Sequence, residues 1–239
     1  MKTILLKLAG PLQAWGTRSH FETRHTDFYP SKSAIIGLIA ASLGYRRDED
    51  EKIQRLNEID FAVRVDQPGN LMRDYHTAHK YKANGDADRT YVTHRYYLED
   101  AVFVVAVSHT DEAWMSEIEA SLQHPYFQPF MGRRACPLPT DFFIGTSTAT
   151  ALESLSQLPW QAGQWYMKKA ARSVDLEIYA DNHLTDRDGG QLRQDRVISF
   201  SQRERKFGFR YEERLVIAIA NPFSTNNTTH DAFSGIGEG

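Results

Sequence analysis

Apolar residues recur along this chain at two spacings, and the alternation between them predicts its elements. Residues 3–8 form a short apolar run rich in Ile and Leu, closed by Gly10-Pro11, which predicts a buried strand. Pro30-Ser31-Lys32-Ser33 opens a helix with Ser33 as N-cap. The run 34–43 that follows is apolar all round, so the helix should pack on a sheet and stop at Gly44. Residues 48–57 predict a short charged helix capped by Asp48. Residues 61–65 alternate as a strand, and Gln67-Pro68-Gly69-Asn70 turns the chain. Residues 102–107 are the most strand-like run. Met115, Ile118 and Leu122 then fall at helical spacing across 112–122, capped by Thr110 or Asp111, and residues 142–146 predict another strand.

The remaining stretches lack such a period. Residues 12–29 read as a long loop carrying aromatic and basic side chains: Trp15, Arg18, His20, Phe21, Arg24, His25, Phe28 and Tyr29. Residues 71–98 hold two polar-aromatic arms around Asn84-Gly85, the signature of a hairpin, with too few aliphatics to sit in a core. With that hairpin set aside, the order is strand, helix, strand, strand, helix, strand. That order is the split βαβ arrangement, an α+β, ferredoxin-like βαββαβ domain spanning 1–147 with an inserted β-hairpin at about 71–98. Beyond 148, a helix at 149–158, a turn at 185–191 and strands at 174–179, 197–200 and 211–220 suggest a smaller, mostly β unit over 148–225. Residues 226–239 read as a loose polar tail.

Composition narrows the function. Hydrophobic residues are 41% and charged residues 25% of the 239, ordinary for a globular chain, and no apolar run approaches the length of a membrane span. Lys7 breaks the N-terminal apolar stretch, and no small-residue cleavage site follows, which points to a soluble cytoplasmic protein. The single cysteine, Cys136, excludes an internal disulfide and a Cys-rich zinc site. Net charge is −3, so the chain is not globally basic. Yet residues 1–47 carry seven Lys/Arg against two acids, while residues 99–128 carry six acids and no Lys or Arg. Segregated in the fold, those blocks make a basic and an acidic face, suited to an anionic polymer or to a charged protein interface.

The densest candidate chemistry is the stretch MGRRACPL at 131–138. Pro137 prevents a helix there, Gly132 permits backbone geometry closed to other residues, and Arg133 and Arg134 present donor forks suited to phosphate or carboxylate. One alternative is a solvated loop; another has an arginine bridging the acidic block. The start of the first helix, at Ser31, Lys32 and Ser33, offers free N–H groups and partial positive charge, a second phosphate site that could lie beside Gly132. Trp15 and Tyr75 are candidate stacking surfaces, although a Trp beside a strand is more often core. His76 and His79 lack a third metal ligand, so no metal and no cofactor is expected.

Four ordered segments carry a resemblance: LAGPLQAWG, YPSKSAIIGLIAASLG, LMRDYHT and PFMGRRACPL. Together they resemble the CasD family, the RAMP-superfamily subunits of type I-E CRISPR Cascade complexes, over roughly residues 1–146. The resemblance implies a non-catalytic subunit that binds the 5′ handle of the guide RNA. It would cap the backbone filament of CasC subunits and contact the large subunit CasA, with target DNA in the complex a further partner class. The hairpin corresponds to the family's thumb. Gln13, Ala14, Trp15 and Gly16 match its AWG segment, Ser31, Lys32 and Ser33 its first-helix start, Arg73, Asp74, Tyr75 and His76 its thumb base, and Gly132, Arg133 and Arg134 its glycine-rich loop. The alternative is a metal-independent endoribonuclease processing repeat RNA, with Tyr45 beside His76, His79 or Lys80. In type I-E systems that cut belongs to a separate subunit, CasE, and no spacing in this chain assembles such a trio.

Overall fold

The structure, a computed structural model, describes residues 1–17, 22–185 and 189–223. Its elements in chain order are β1 (Lys2–Ala9), β2 (Leu12–Gln13), β3 (Thr23–Arg24), α1 (Lys32–Ser42), α2 (Asp50–Arg55), β4 (Asp60–Gln67), β5 (Asn70–Tyr81), β6 (Ala87–Glu99), β7 (Val102–His109), α3 (Glu112–Gln123), β8 (Phe143–Ser147), α4 (Ala151–Gln157), α5 (Gln164–Met167), β9 (Ser173–Asp181), β10 (Gln191–Ser199) and β11 (Lys206–Ala220). Short 3-10 turns occupy Leu56–Glu58 and Asn182–Leu184. The class is α+β with mostly antiparallel sheets.

Seven strands pair in the order β10-β11-β9-β4-β7-β1-β8, every neighbour antiparallel. The interior strand β7 is buried on both faces, which is why its sequence is a continuous apolar run instead of an alternating one. Along β1, Ile4, Leu6 and Leu8 join Phe103, Val105 and Val107 beneath α1 and α3, while Leu5 joins Val104, Ala106 and Ala62 beneath α4. Each of the Ile, Leu, Val and Phe side chains contributes about 1.5–3 kcal/mol on burial.

Caps show where local chemistry sets the helix starts. Ser31, not Ser33, caps α1: its hydroxyl accepts from Ala34 N at 3.3 Å, and Ser33 lies inside the first turn. Asp48 does not cap α2. The N-cap residue is Glu49, whose carboxylate instead takes Arg46 N at 2.6 Å and Lys52 Nζ at 2.5 Å. Asp111 caps α3 through Trp114 N, and Thr150 with Glu153 forms a reciprocal capping box on α4. At the other end of α4, the wholly buried Arg64 donates to the carbonyls of Leu155, Leu158 (2.7 Å) and Pro159 (3.0 Å). Asp66 balances its charge through two bonds, at 2.7 and 2.8 Å.

The hairpin β5–β6 is in continuous register from Asn70↔Glu99 to Lys80↔Arg89, and shifts by one residue before Tyr81↔Ala87. Burial falls along it: Thr93, Tyr97 and Leu98 are buried near the base, and both arms are exposed toward Gly85, which turns with φ +89°. The stretch 12–29 is not simply a loop. It lays two two-residue strands on the other edge of β6: β2 antiparallel at Glu99–Leu98, and β3 parallel at His94–Arg95. Strands this short have no period of their own to read. Arg18, His20 and Phe21 of this stretch lie outside the described residues.

The strands after residue 148 continue the main sheet. β9 pairs with β4 through Ala62↔Ala180, residues 212–220 of β11 pair with the whole of β9, and β10 forms the edge. An ion network ties this half to α1. Lys32 Nζ meets Asp181 at 2.8 Å, Arg210 bridges Asp181, Asp195 and Glu212, and Arg193 meets Glu212, Asp195 and Asp27. Tyr29 donates to Glu212 at 2.7 Å and stacks on Tyr179. The turn expected at 185–191 falls partly, and the tail 226–239 wholly, outside the described residues.

Candidate nucleic-acid interface

The loop between α3 and β8 is pinned at both ends, which leaves its arginines at the tip. Phe130 and Pro137 bridge antiparallel, Met131 N reaches Cys136 O at 2.8 Å, and Cys136 N reaches Arg133 O at 2.8 Å. Met131 and Cys136 are buried anchors. Burial raises the Cys136 thiol pKa, against a smaller opposite pull from Arg133. Gly132 holds φ at +76°, and a Cβ there would lie 1.5 Å from the Ala14 carbonyl oxygen. Ala14 N in turn reaches Met131 O at 3.3 Å. Only glycine permits this approach, and it brings two distant sequence segments, 13–16 and 131–134, together.

Within the first of those segments the side chains face inward. Trp15 is 1% exposed, its indole N–H donates to Gln13 Oε1 at 3.1 Å, and Gln13 Nε2 donates to Leu8 O and Ala101 O. The expected stacking face of Trp15 is therefore absent, because the ring is core and its one polar atom is satisfied. Gln13 is likewise a buried brace, while Gly16 is exposed.

Arg133 lies half-buried with its guanidinium 4.2 Å from the Tyr97 ring centroid, and Nη2 donates to Arg24 O at 2.9 Å. Its Nη1 is buried with no hydrogen-bond partner, as are Arg95 Nε and His94 Nδ1 on β6. Arg134 is exposed. Among the described residues, none of Arg24, Arg95, Arg133 and Arg134 is in an ion pair, so the alternative of an arginine bridging the acidic block does not hold. The acids of that block look elsewhere: Glu112 to the N-terminus, Glu119 to Lys2 and Asp111 to Arg55. Strand pairing and the bond to Arg24 O thus bring Arg24, Arg95 and Arg133 to one corner, with exposed Arg134 next in the chain and spare donors on Arg95 and Arg133.

The start of α1 does not contribute there. Ser31, Lys32 and Ser33 are buried; Lys32 N donates to Asp195 Oδ2 at 2.9 Å, and its ammonium binds Asp181 and Asn57 O. The phosphate site expected at this helix N-terminus is already filled by the protein's own carboxylates. Those acids stand 149 and 163 residues downstream, with no local signature in the sequence.

At the hairpin base, Arg73 and Tyr75 are exposed, with Tyr75 opposite His94 and edge-on to its ring at 6.2 Å between centroids. Strand alternation places Arg73, Tyr75, His94 and Tyr96 on one face. It places Asp74, His76, Arg95 and Tyr97 on the other, where Arg133 docks. The predicted residues therefore occupy two faces of one ribbon. His76 is half-buried, its carbonyl taken by Thr93 Oγ1 at 3.2 Å. His25, stacked on Tyr96 at 5.3 Å, and Arg24 and Arg95 belong to this corner. Their only sequence trace is the basic-aromatic character of residues 23–29 and 94–97.

The nuclease candidates do not meet. Tyr45 interacts with Glu117, Lys52, Arg55 and Glu49, none from the hairpin, and its hydroxyl pKa is raised, chiefly by burial. His79 bonds Thr90 and Lys80 pairs with Asp88. Among the described residues no cluster of His, Cys, Asp and Glu could hold a metal, and no helix is long and apolar enough to cross a membrane.

Known proteins share this sequence and fold. A family described as CRISPR-associated protein (Cas_Cas5) matches residues 3–212. The CRISPR system Cascade subunit CasD of Escherichia coli (strain K12) is 39% identical over 161 residues, which is 62% of this chain and 72% of that protein. A chain of a solved CRISPR RNA-guided surveillance complex superposes with a TM-score of 0.75 at 31% identity, covering 91% of both chains. A crystal structure described as a Cas protein superposes with a TM-score of 0.65 at 29% identity, covering 92% of this chain and 99% of that one.

Proposed function

The chain belongs to the CRISPR-associated Cas5 family, and from that membership we propose that it is a non-catalytic component of a type I-E Cascade surveillance complex. In this reading it binds the 5′ handle of the guide RNA, caps the CasC backbone and contacts CasA. The E. coli CasD relative and the surveillance-complex match support the assignment to such an assembly. We read β1, α1, β4, β7, α3 and β8 as a ferredoxin-like RAMP domain over 1–147, supported by the order β4-β7-β1-β8. We read β5–β6 as its thumb, and residues 148–225 as the small β unit that prolongs the sheet.

The observation that carries RNA binding is the corner of Arg24, Arg95, Arg133 and Arg134, free of ion pairs among the described residues and with two guanidinium nitrogens buried without partners. Buried donors without partners are costly, and a phosphate oxygen satisfies them while neutralising the charge. Stacking on Tyr97 holds Arg133 in place for that role. Trp15 and Gln13 act behind this surface as its support, Gly16, Arg73, Tyr75 and His76 flank it, and Ser31, Lys32 and Ser33 serve the ion network toward β9 and β10 instead.

The test is direct binding of the isolated chain to an RNA of the handle sequence and to a scrambled control. Tight binding of the handle alone is expected, with precursor guide RNA left uncut during the incubation. Equal weak binding of both RNAs, or cleavage within the repeat, would overturn the reading.

A further inference from the structure

The last two strands carry a second surface of different chemistry. Because Glu212 pairs with Asp181, the final residue of β9, residues 206–211 of β11 run past the end of that strand with only β10 beside them. The inner side of this ribbon is fixed: Val197 is in the core, with Phe200 and Phe207 packed against it. Its outer side is bare. Leu192, Ile198, Phe209 and Tyr211 are 41–59% exposed.

Phe209 and Tyr211 stand two residues apart on one strand, so their rings leave the same face roughly 6.5–7 Å apart. Leu192 lies directly opposite Tyr211. The two rings line an open pocket shared with Arg196 and His183, over the Lys32–Asp181–Arg210 ion network. Arg196 is exposed and in no ion pair among the described residues, and the adjoining loop adds exposed Arg203 and Arg205. The one acid in that loop, Glu204, is held by Lys206 at 2.8 Å.

Aromatic faces at two-residue spacing, bordered by unpaired arginines, match bases and backbone of an extended strand better than they match an acidic or purely apolar protein partner. We propose that the outer face of β10–β11, centred on Phe209, Tyr211 and Arg196, is a stacking platform for single-stranded nucleic acid, distinct from the arginine corner. Bases lie on the two rings and the phosphates meet Arg196, with His183 at the rim. Stacking is indifferent to base identity and to the 2′-hydroxyl, so RNA and DNA strands are both ligands.

The full chain is titrated with labelled twelve-nucleotide oligothymidylate and oligouridylate, and cross-linked to their iodouracil-substituted forms. Comparable affinity for the two oligomers is expected, with adducts within residues 206–214. Binding should be at least about tenfold weaker in both F209A/Y211A and F209L/Y211L. The leucine pair preserves an apolar surface and a protein contact but not stacking, and F209Y/Y211F restores binding. The R133A/R134A variant keeps these adducts, so failure of the handle reading leaves this test intact. Adducts only outside residues 206–214, unchanged affinity in a folded leucine variant, or a strong preference for the ribose oligomer overturns the proposal. So does a leucine variant that binds oligomers normally while the alanine variant no longer joins partner subunits, which marks a protein contact instead.

Discussion

Gly132 shows how one residue sets the proposed interface. Its φ is +76°, and a Cβ added there would stand 1.5 Å from Ala14 O, so no side chain fits against this rigid backbone. Gly132→Ala should cost about 2 kcal/mol or more through strain and displacement of the loop, read as a lowered melting temperature. Cys136 reports on the same loop: being buried, with its thiol pKa raised by that burial, it should resist iodoacetamide at neutral pH. Labelling of the native protein at the rate seen in denaturant would contradict this, and faster labelling in Gly132→Ala would show the loop opening. At this scale, the Gly-Arg-Arg signal is legible because glycine and arginine each have few alternative uses. Trp15 and Lys32 are not, because burial depends on what the rest of the chain places over them. The same Lys32 that reads as a phosphate ligand in sequence is held by Asp181, and its amide by Asp195.

Among elements, the long ones are readable and the short ones are not. β4 and α3 announce themselves by period, and β1, β7 and α1 by unbroken apolar runs. β2 and β3, two residues each, exist only because β6 offers them an edge. They matter to the proposed function, since β3 carries Arg24, whose carbonyl holds Arg133. The hairpin makes a separate prediction. Its outer half is exposed and contributes little to the core, so replacing residues 81–89 by a short Gly-Ser turn should leave the melting temperature nearly unchanged. Assembly with the backbone subunit and guide should fail. Unfolding of this variant, or assembly at wild-type yield, would contradict the thumb reading.

For the whole molecule, the feature least legible in sequence is the ion network joining α1 to β9, β10 and β11. Lys32 and Asp195 are 163 residues apart, and no local pattern announces their meeting. Asp195 is fully buried against Arg210 and Arg193, which keep Asp181, Glu212 and Asp27 as other partners, so Asp195→Ala chiefly leaves the buried Lys32 amide and part of each guanidinium unsatisfied and should cost about 1–3 kcal/mol, measured by denaturant unfolding. A destabilisation below about 1 kcal/mol would mean the network relaxes around the gap. The charge blocks are legible as composition but not as faces. Lys2 and the N-terminus neutralise part of α3, and Lys7 pairs with Asp141, so these cations of the basic block are spent within the fold. Arg24, from the same block, instead joins the arginines of β6 and the 131–138 loop.

The central claim, that this corner grips RNA phosphates, is tested most directly by the salt dependence of handle binding in wild type and R133A/R134A, with a thermal melt of each. Charged hydrogen bonds of roughly 1.5–3 kcal/mol apiece predict at least a tenfold drop in affinity for the double variant. The slope of log K against log salt should become shallower by about 0.7 for each phosphate no longer held, in a variant that still melts cooperatively. Lysine at either position should restore binding only in part, since a point charge lacks the two-oxygen fork. A well-folded double variant with an unaltered slope would remove these arginines from any RNA site.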